Sequence, residues 1–258
     1  MRPRLRLVTL TVAIAFIAGC ASSAAGNGGS PNQSTGLNGV QSKTGKQIVA
    51  AALAATKRQS SFHFVEVAST TQSKVSIVGD VGTSSGEQHI TVSESGQSGH
   101  VTLLLADKTA YFTGDLFGLE GFTGMSKADA SPLAGKWIAV PSTNTNFAAL
   151  SASLAVKTAA AQLVSLTGTL TRGDVSTELG HKAVSVRAAQ TTKAGSLALT
   201  MYVATTGAAL PIRVEGTTQA TGGTGRTITA TFSEWGEAVN LRAPAISEPI
   251  ADVKALAG

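Results

Sequence analysis

One cysteine in 258 residues leaves this chain without a disulfide and without a cysteine-based zinc site. Charged residues make up only 14%, against roughly 25% in an average soluble protein, and aromatics only 5%. No apolar run reaches the roughly twenty residues of a membrane-spanning helix; the longest, Leu7 to Ala18, stops at about a dozen. Several chemical signatures are also missing. The phosphate-cradling Gly-x-x-x-x-Gly-Lys loop fails because Val40 stands where Gly45-Lys46 would need its first glycine. No Gly-x-Gly-x-x-Gly follows a strand pattern, no Ser-x-x-Lys pair occurs, and Gly96-Gln97-Ser98-Gly99 lacks the spacing of a nucleophile elbow. His63, His89, His100 and His181 are scattered without short ligand spacing, so no metal is expected. Glu234 and Glu237 flank Trp235, where a turn is a nearer reading than a glycosidase pair.

What is there begins with an export signal. Arg2, Arg4 and Arg6 precede the short apolar run, which ends in Ile17-Ala18-Gly19-Cys20. That ending resembles the lipobox of bacterial lipoproteins, in which the cysteine thiol takes a diacylglyceryl group and cleavage leaves it at the mature N-terminus. Ala18 and Gly19 are small enough to admit the peptidase, and the only cysteine sits where this chemistry needs it. Ordinary secretion, with cleavage among Ala21–Ala25, is the alternative. Loss of residues 1–19 removes three Arg and no acid, taking the net charge from +5 to +2. The basic balance therefore gives no footing for nucleic acid, which needs a basic stripe. An exported chain is also a poor candidate for a nucleotide cofactor, and none is expected.

Residues 20–43 read as the lipidated Cys20 and a Gly/Ser/Asn-rich tether that buries no apolar face. Its mean span is on the order of 25–30 Å. Thr44-Gly45-Lys46-Gln47 has capping-box spacing, and Ile48, Val49, Ala52, Leu53 and Ala55 continue at helical period, predicting a helix over 45–58. From Ser61 the period changes to two, as in Phe62/Phe64, Val75/Ile77, Ile90/Val92 and Val101/Leu103/Leu105, with Gly79-Asp80 and Ser95-Gly96 as punctuation. Residues 114–135 read as irregular, with five Gly. Residues 145–165 read as a second helix or helix pair, followed by strands in the second half and a loose tail at 245–258. The folded domain is placed at 44–244.

These patterns predict an α+β fold: a curved antiparallel sheet, a half-open barrel of about nine to eleven strands, with helices covering its concave face. Alternation puts Leu197, Leu199, Met201 and Val203 on one face with Ile228, Ala230 and Phe232, and Thr and Ser on the other. The first set is the candidate cavity lining, and Trp137 and Trp235 are the candidate rim.

Five segments are similar in order to the mycobacterial LppX/LprG-type lipoproteins, a LolA-like family of actinobacteria. They are the helix at 45–58, Ala110-Tyr111, Lys136-Trp137-Ile138, Ala209-Leu210-Pro211-Ile212-Arg213-Val214 and Phe232-Ser233-Glu234-Trp235-Gly236. The resemblance spans about 44–244. It implies a half-open barrel closed by helices and the binding or transfer of an acylated lipid or lipoglycan, without catalysis. Three functions stay open: a monomeric lipid carrier anchored to the membrane through Cys20, on the extracytoplasmic face; a lipoprotein with a filled barrel that binds a partner or serves structurally; and a hydrolase assembled from distant His and carboxylates. An acyl chain costs about 0.8 kcal/mol per CH₂ to expose to water, which is the physical need a carrier meets.

Overall fold

The computed structural model describes residues 36–159, 166, 168–192, 195–220, 223 and 225–249. The expected signal, Cys20, most of the tether and part of the second helical segment lie outside the described residues.

The capping box at Thr44 forms as its spacing predicts. The Thr44 side chain accepts from the Gln47 N–H at 3.4 Å, and Gln47 Oε1 accepts from the Thr44 N–H at 3.0 Å. Helix α1 (Gly45–Thr56) follows, burying Ile48, Ala52 and Ala55. The chain is already packed before it. Val40 is 2% exposed, Asn38 Nδ2 donates to the Ala204 carbonyl at 2.9 Å, and Arg172 donates to the Gln41 carbonyl at 3.0 Å. The ordered domain thus starts ahead of Thr44, because Val40, near the tether's end, finds a place in the core.

The strands are β1 (Phe62–Ser69), β2 (Ser73–Val81), β3 (Gly86–Glu94), β4 (Gln97–Ala106), β5 (Thr109–Gly114), β6 (Ile138–Pro141), β7 (Thr169–Glu178), β8 (His181–Thr192), β9 (Gly195–Ala204), β10 (Pro211–Ala220), β11 (Gly225–Ser233) and β12 (Glu248–Pro249). They form one twelve-stranded sheet in the order β12-β6-β5-β4-β3-β2-β1-β11-β10-β9-β8-β7, which does not close. Every pairing is antiparallel except β12 with β6. The strand count exceeds the expected nine to eleven at the two edges of the sheet. Edge strand β7 is mostly exposed and needs no apolar alternation, and β12 is two residues of the tail that pair with Ile138 and Ala139. Two-residue turns at Ser95-Gly96, Asp107-Lys108 and Leu179-Gly180 all have positive φ at both positions, the hairpin geometry that matches strand twist.

Two sequence readings are corrected by glycine packing. Gly79-Asp80 lies inside β2 rather than in a turn. A Cβ at Gly79 would stand 2.7 Å from Phe64 Cε1 and 2.8 Å from the Glu87 carbonyl oxygen, so glycine is there to let the Phe64 ring in. The stretch 114–135 holds two short helices, α2 (Leu116–Thr123) and α3 (Lys127–Ala130). Asp115 caps α2 by accepting the Gly118 N–H at 2.7 Å, and Gly124, at φ 70°, ends it. A Cβ at Gly118 would stand 2.3 Å from the His100 carbonyl oxygen, so this glycine marks where helix backbone meets strand backbone. Of the second helical region, α4 (Phe147–Ala152) and a helical segment at 156–159 are described.

Burial alternates strictly along β1, with Phe62, Phe64, Glu66 and Ala68 on the buried face. The main core gathers this face together with Ile48 and Ala52 of α1, Leu119 of α2, and Leu154. The helices therefore pack on the apolar face of the sheet. Burial of one such ring, Phe62 at 1% exposure, contributes about 1.5–3 kcal/mol. A smaller cluster on the opposite face joins Leu104, Ala106 and Tyr111 to Trp137, Leu241 and Ala243, pinning the chain after β11 to the sheet. Among the described residues no helix is long and apolar enough to cross a membrane.

Candidate functional site on the apolar face of the sheet

The six candidate lining residues share one face. In the β9–β10 ladder Met201 faces Val214 and Leu199 faces Gly216, and in the β10–β11 ladder Val214 faces Ala230 and Gly216 faces Ile228. Burial along that face is graded. Met201 and Val203 are 0% exposed and Leu199 and Phe232 5%, whereas Leu197 and Ile228 are half-buried. Gly216 lies beneath the gradient. A Cβ there would stand 2.7 Å from Leu199 Cδ2, so Leu199 leans into the space the missing side chain leaves.

The two tryptophans separate. Trp235 joins an aromatic cluster at the apolar face, its ring 4.8 Å from Phe62 and 6.2 Å from Phe232. Trp137 packs in the small cluster on the opposite face and is not at a rim of the apolar face.

Two charged side chains stand on this face, and alternation alone drew no attention to either. Glu66 faces Ala230 and Ile77 and is 7% exposed. Among the described residues its side chain has no hydrogen-bond or ion-pair partner, unlike Gln88, whose amide donates to the Ser153 carbonyl at 2.7 Å, or Thr205, whose hydroxyl donates to the Lys182 carbonyl at 3.1 Å. Burial pushes the Glu66 carboxyl above the ordinary carboxylate range, and the charge of Arg226 opposes that rise. Arg226 lies on the same face of β11, one inward position beyond Ile228, and pairs across to Thr218. Its Nη2 is shut off from solvent and has no hydrogen-bond partner among the described residues. Each unmet buried polar group costs about 1–3 kcal/mol, more when charged.

The opposite face is polar and its charges are paired, although Arg213 Nε has no hydrogen-bond partner among the described residues. Tyr202 Oη donates to Glu215 at 2.8 Å, and Arg213 pairs with both Glu178 and Glu215. Burial first, then the bond to Glu215, raises the Tyr202 phenol. A cleft of about 240 Å³ is lined by Phe62, His63, Asp80, Glu234, Glu237 and Asn240, among others. Here the fold brings one of the four histidines to two carboxylates. His63 Nδ1 is 2.8 Å from Asp80 Oδ1, and ligating atoms of His63, Asp80 and Glu234 lie within 4.8 Å of one another. Sequence spacing gave no sign of this, since the residues come from β1, β2 and the turn after β11. The His63–Asp80 hydrogen bond is partly exposed, and contacts in such a setting contribute about 0–1 kcal/mol even when both groups are charged.

Gly82-Thr83-Ser84-Ser85-Gly86 has the spacing of a nucleophile elbow, which the sequence reading passed over. The structure makes it the β2–β3 connection, strand to strand, whereas an elbow needs a strand-to-helix turn.

No family model matches the chain, and no curated protein matches it in sequence. Among solved structures it is similar to the Mycobacterium tuberculosis lipoprotein LppX, at 15% identity and a TM-score of 0.47, over 76% of this chain and 99% of that one. It is also similar to an uncharacterised conserved protein of Thermus thermophilus, at 8% identity and a TM-score of 0.39, over 79% and 96% of the two chains. A third is MucB, solved in complex with MucA(peri), at 13% identity and a TM-score of 0.36, over 78% of this chain and 59% of that one. At identities of 15% or less and TM-scores under 0.5, none of these likenesses says what this chain binds.

Proposed function

We propose that the chain is a non-catalytic lipoprotein of the cell envelope, held to the membrane through an acylated Cys20, that binds or carries an acylated lipid on the concave, helix-covered face of a half-open sheet. The observation that carries this reading is the graded apolar face: buried at Met201 and Val203, half-buried at Leu197 and Ile228, with the guanidinium of Arg226, one nitrogen of which has no hydrogen-bond partner among the described residues, one inward position along β11 from Ile228. An acyl chain laid along Leu197 and Ile228 would hide apolar surface at both partners, at roughly 25 cal/mol per Å². The testing experiment is native mass spectrometry of the purified chain. A co-purifying mass of acyl-lipid size supports the reading. A bare polypeptide mass, unchanged after incubation with lipid vesicles, overturns it.

A second reading, a filled sheet acting as a structural or partner-binding module, is favoured by one observation. Leu199, Met201, Val203 and Phe232 are already packed to 5% exposure or less within the main core. Under that reading the chain melts identically with and without lipid.

A further inference from the structure

We propose that Arg226, with Glu66 on the same face, forms a head-group subsite that selects acyl lipids bearing an anion, carboxylate or phosphate; this deepens the lipid-binding reading and rests on it. Four observations converge. Arg226 has a guanidinium nitrogen closed to solvent and, among the described residues, neither a hydrogen-bond partner for it nor a paired carboxylate, whereas Arg213, on the opposite face of the same sheet, also has an unpartnered nitrogen, Nε, but holds two carboxylates. Arg226 and Glu66 feel each other's charge but form no direct ion pair, so Glu66 does not occupy the guanidinium donors. The residue one inward position away on β11 is Ile228, and Leu197 faces Thr218, the cross-strand partner of Arg226. Half-buried apolar surface therefore begins where the guanidinium ends. Finally, Glu66 is buried with apolar residues, Ala230 and Ile77, as its cross-strand neighbours.

The chemistry commits the site to one kind of occupant. A planar guanidinium presents paired N–H donors that match two oxygens of a carboxylate or phosphate. An uncharged head, an alcohol or an ester, gives it weaker acceptors. A cationic head is repelled. Glu66 decides the same way. Burial among apolar neighbours disfavours its charged form, which lessens the repulsion it would offer an anionic oxygen. Thr218, opposite Arg226, can add a hydroxyl donor. The acyl chain then runs from this subsite over Ile228 and Leu197.

The test uses the purified full chain, stripped of bound lipid and titrated with cis-parinaric acid and, separately, with its methyl ester, two fluorescent probes of the same chain with and without a charge. The expected result is that the acid binds about ten- to a hundredfold tighter than the ester, the range a charge-assisted hydrogen bond supplies. Arg226→Gln should bring the acid-to-ester affinity ratio down to about one. Glu66→Gln, a neutral mimic of the protonated acid, should keep the preference for the acid. Equal binding of acid and ester to the parent would overturn the subsite while leaving lipid binding intact, and needs no variant to be read. Binding of neither would overturn lipid binding itself. Inorganic phosphate alone is the third arm. No displacement of the acid at millimolar phosphate supports a lipid site, and displacement at concentrations where the acid binds would show a free-anion site and overturn the lipid assignment.

Discussion

Replacing Leu199 and Leu197 separately by tryptophan tests the gradient along the apolar face. The residues sit two apart on β9 and share a face, yet Leu199 is 5% exposed and leans over Gly216, while Leu197 is half-buried. A tryptophan at 199 must displace packed neighbours, including Ala188 across β8, and it has little room toward Gly216, whose Cβ position Leu199 Cδ2 already approaches to 2.7 Å. Overpacking of this kind costs about 1–3 kcal/mol. For a domain of roughly this size each kcal/mol moves the melting temperature by about 2–4 °C, so Leu199→Trp should melt about 2–12 °C below the parent. Leu197→Trp adds its ring at the half-buried end and should melt within about 2 °C of the parent, the range of roughly ±0.5 kcal/mol expected where nothing is displaced. It should instead weaken binding of cis-parinaric methyl ester, since the added ring takes the place assigned to the acyl chain. Circular dichroism melts and the ester titration read both effects. If Leu199→Trp melted with the parent, the face would be hollow where the structure has it packed. If Leu197→Trp left ester binding untouched, the acyl path over β9 would be wrong.

Glu66→Gln should stabilise the chain by about 1–3 kcal/mol at neutral pH and have little effect near pH 4. Between the ordinary glutamate value of 4.5 and its raised value, folded Glu66 holds a proton that the unfolded chain has released, so the parent loses stability as pH rises through that window; urea midpoints at several pH values read it, and a pH-independent difference would refute it. Cys20→Ser should release the chain from membranes, because one lipidated cysteine is the only anchor proposed; a variant that still pelleted with membranes after a salt wash would refute the lipobox reading. Thr44→Ala should cost about 0.5–2 kcal/mol by removing the side-chain cap of α1, and an unchanged denaturation midpoint would mean that α1 is held by packing alone.

Local chemistry and periodicity determined much of this protein before any tertiary contact was known. The capping box placed the start of α1 because its two bonds join residues three apart, and period-two alternation placed β1, β9 and β11 because one face of each is buried. What had no local signal had to come from the tertiary structure. Edge strand β7 buries too little for alternation to show, and Gly79 and Gly118 resembled turn and loop residues when they are sites of close ring or backbone approach. Trp137, a rim candidate from its place near a strand end, packs instead in the small cluster on the opposite face, a contact with Leu104 and Tyr111 that only the pairing of β4, β5 and β6 brings about. Glu66 and Arg226 are ordinary charged residues within alternating strands; their meaning lies in burial without a partner. That is a property of the assembled sheet, because only the alignment of β1, β11 and β10 buries Glu66 among apolar neighbours, closes one guanidinium nitrogen of Arg226 to solvent and gives neither group a hydrogen-bond partner among the described residues.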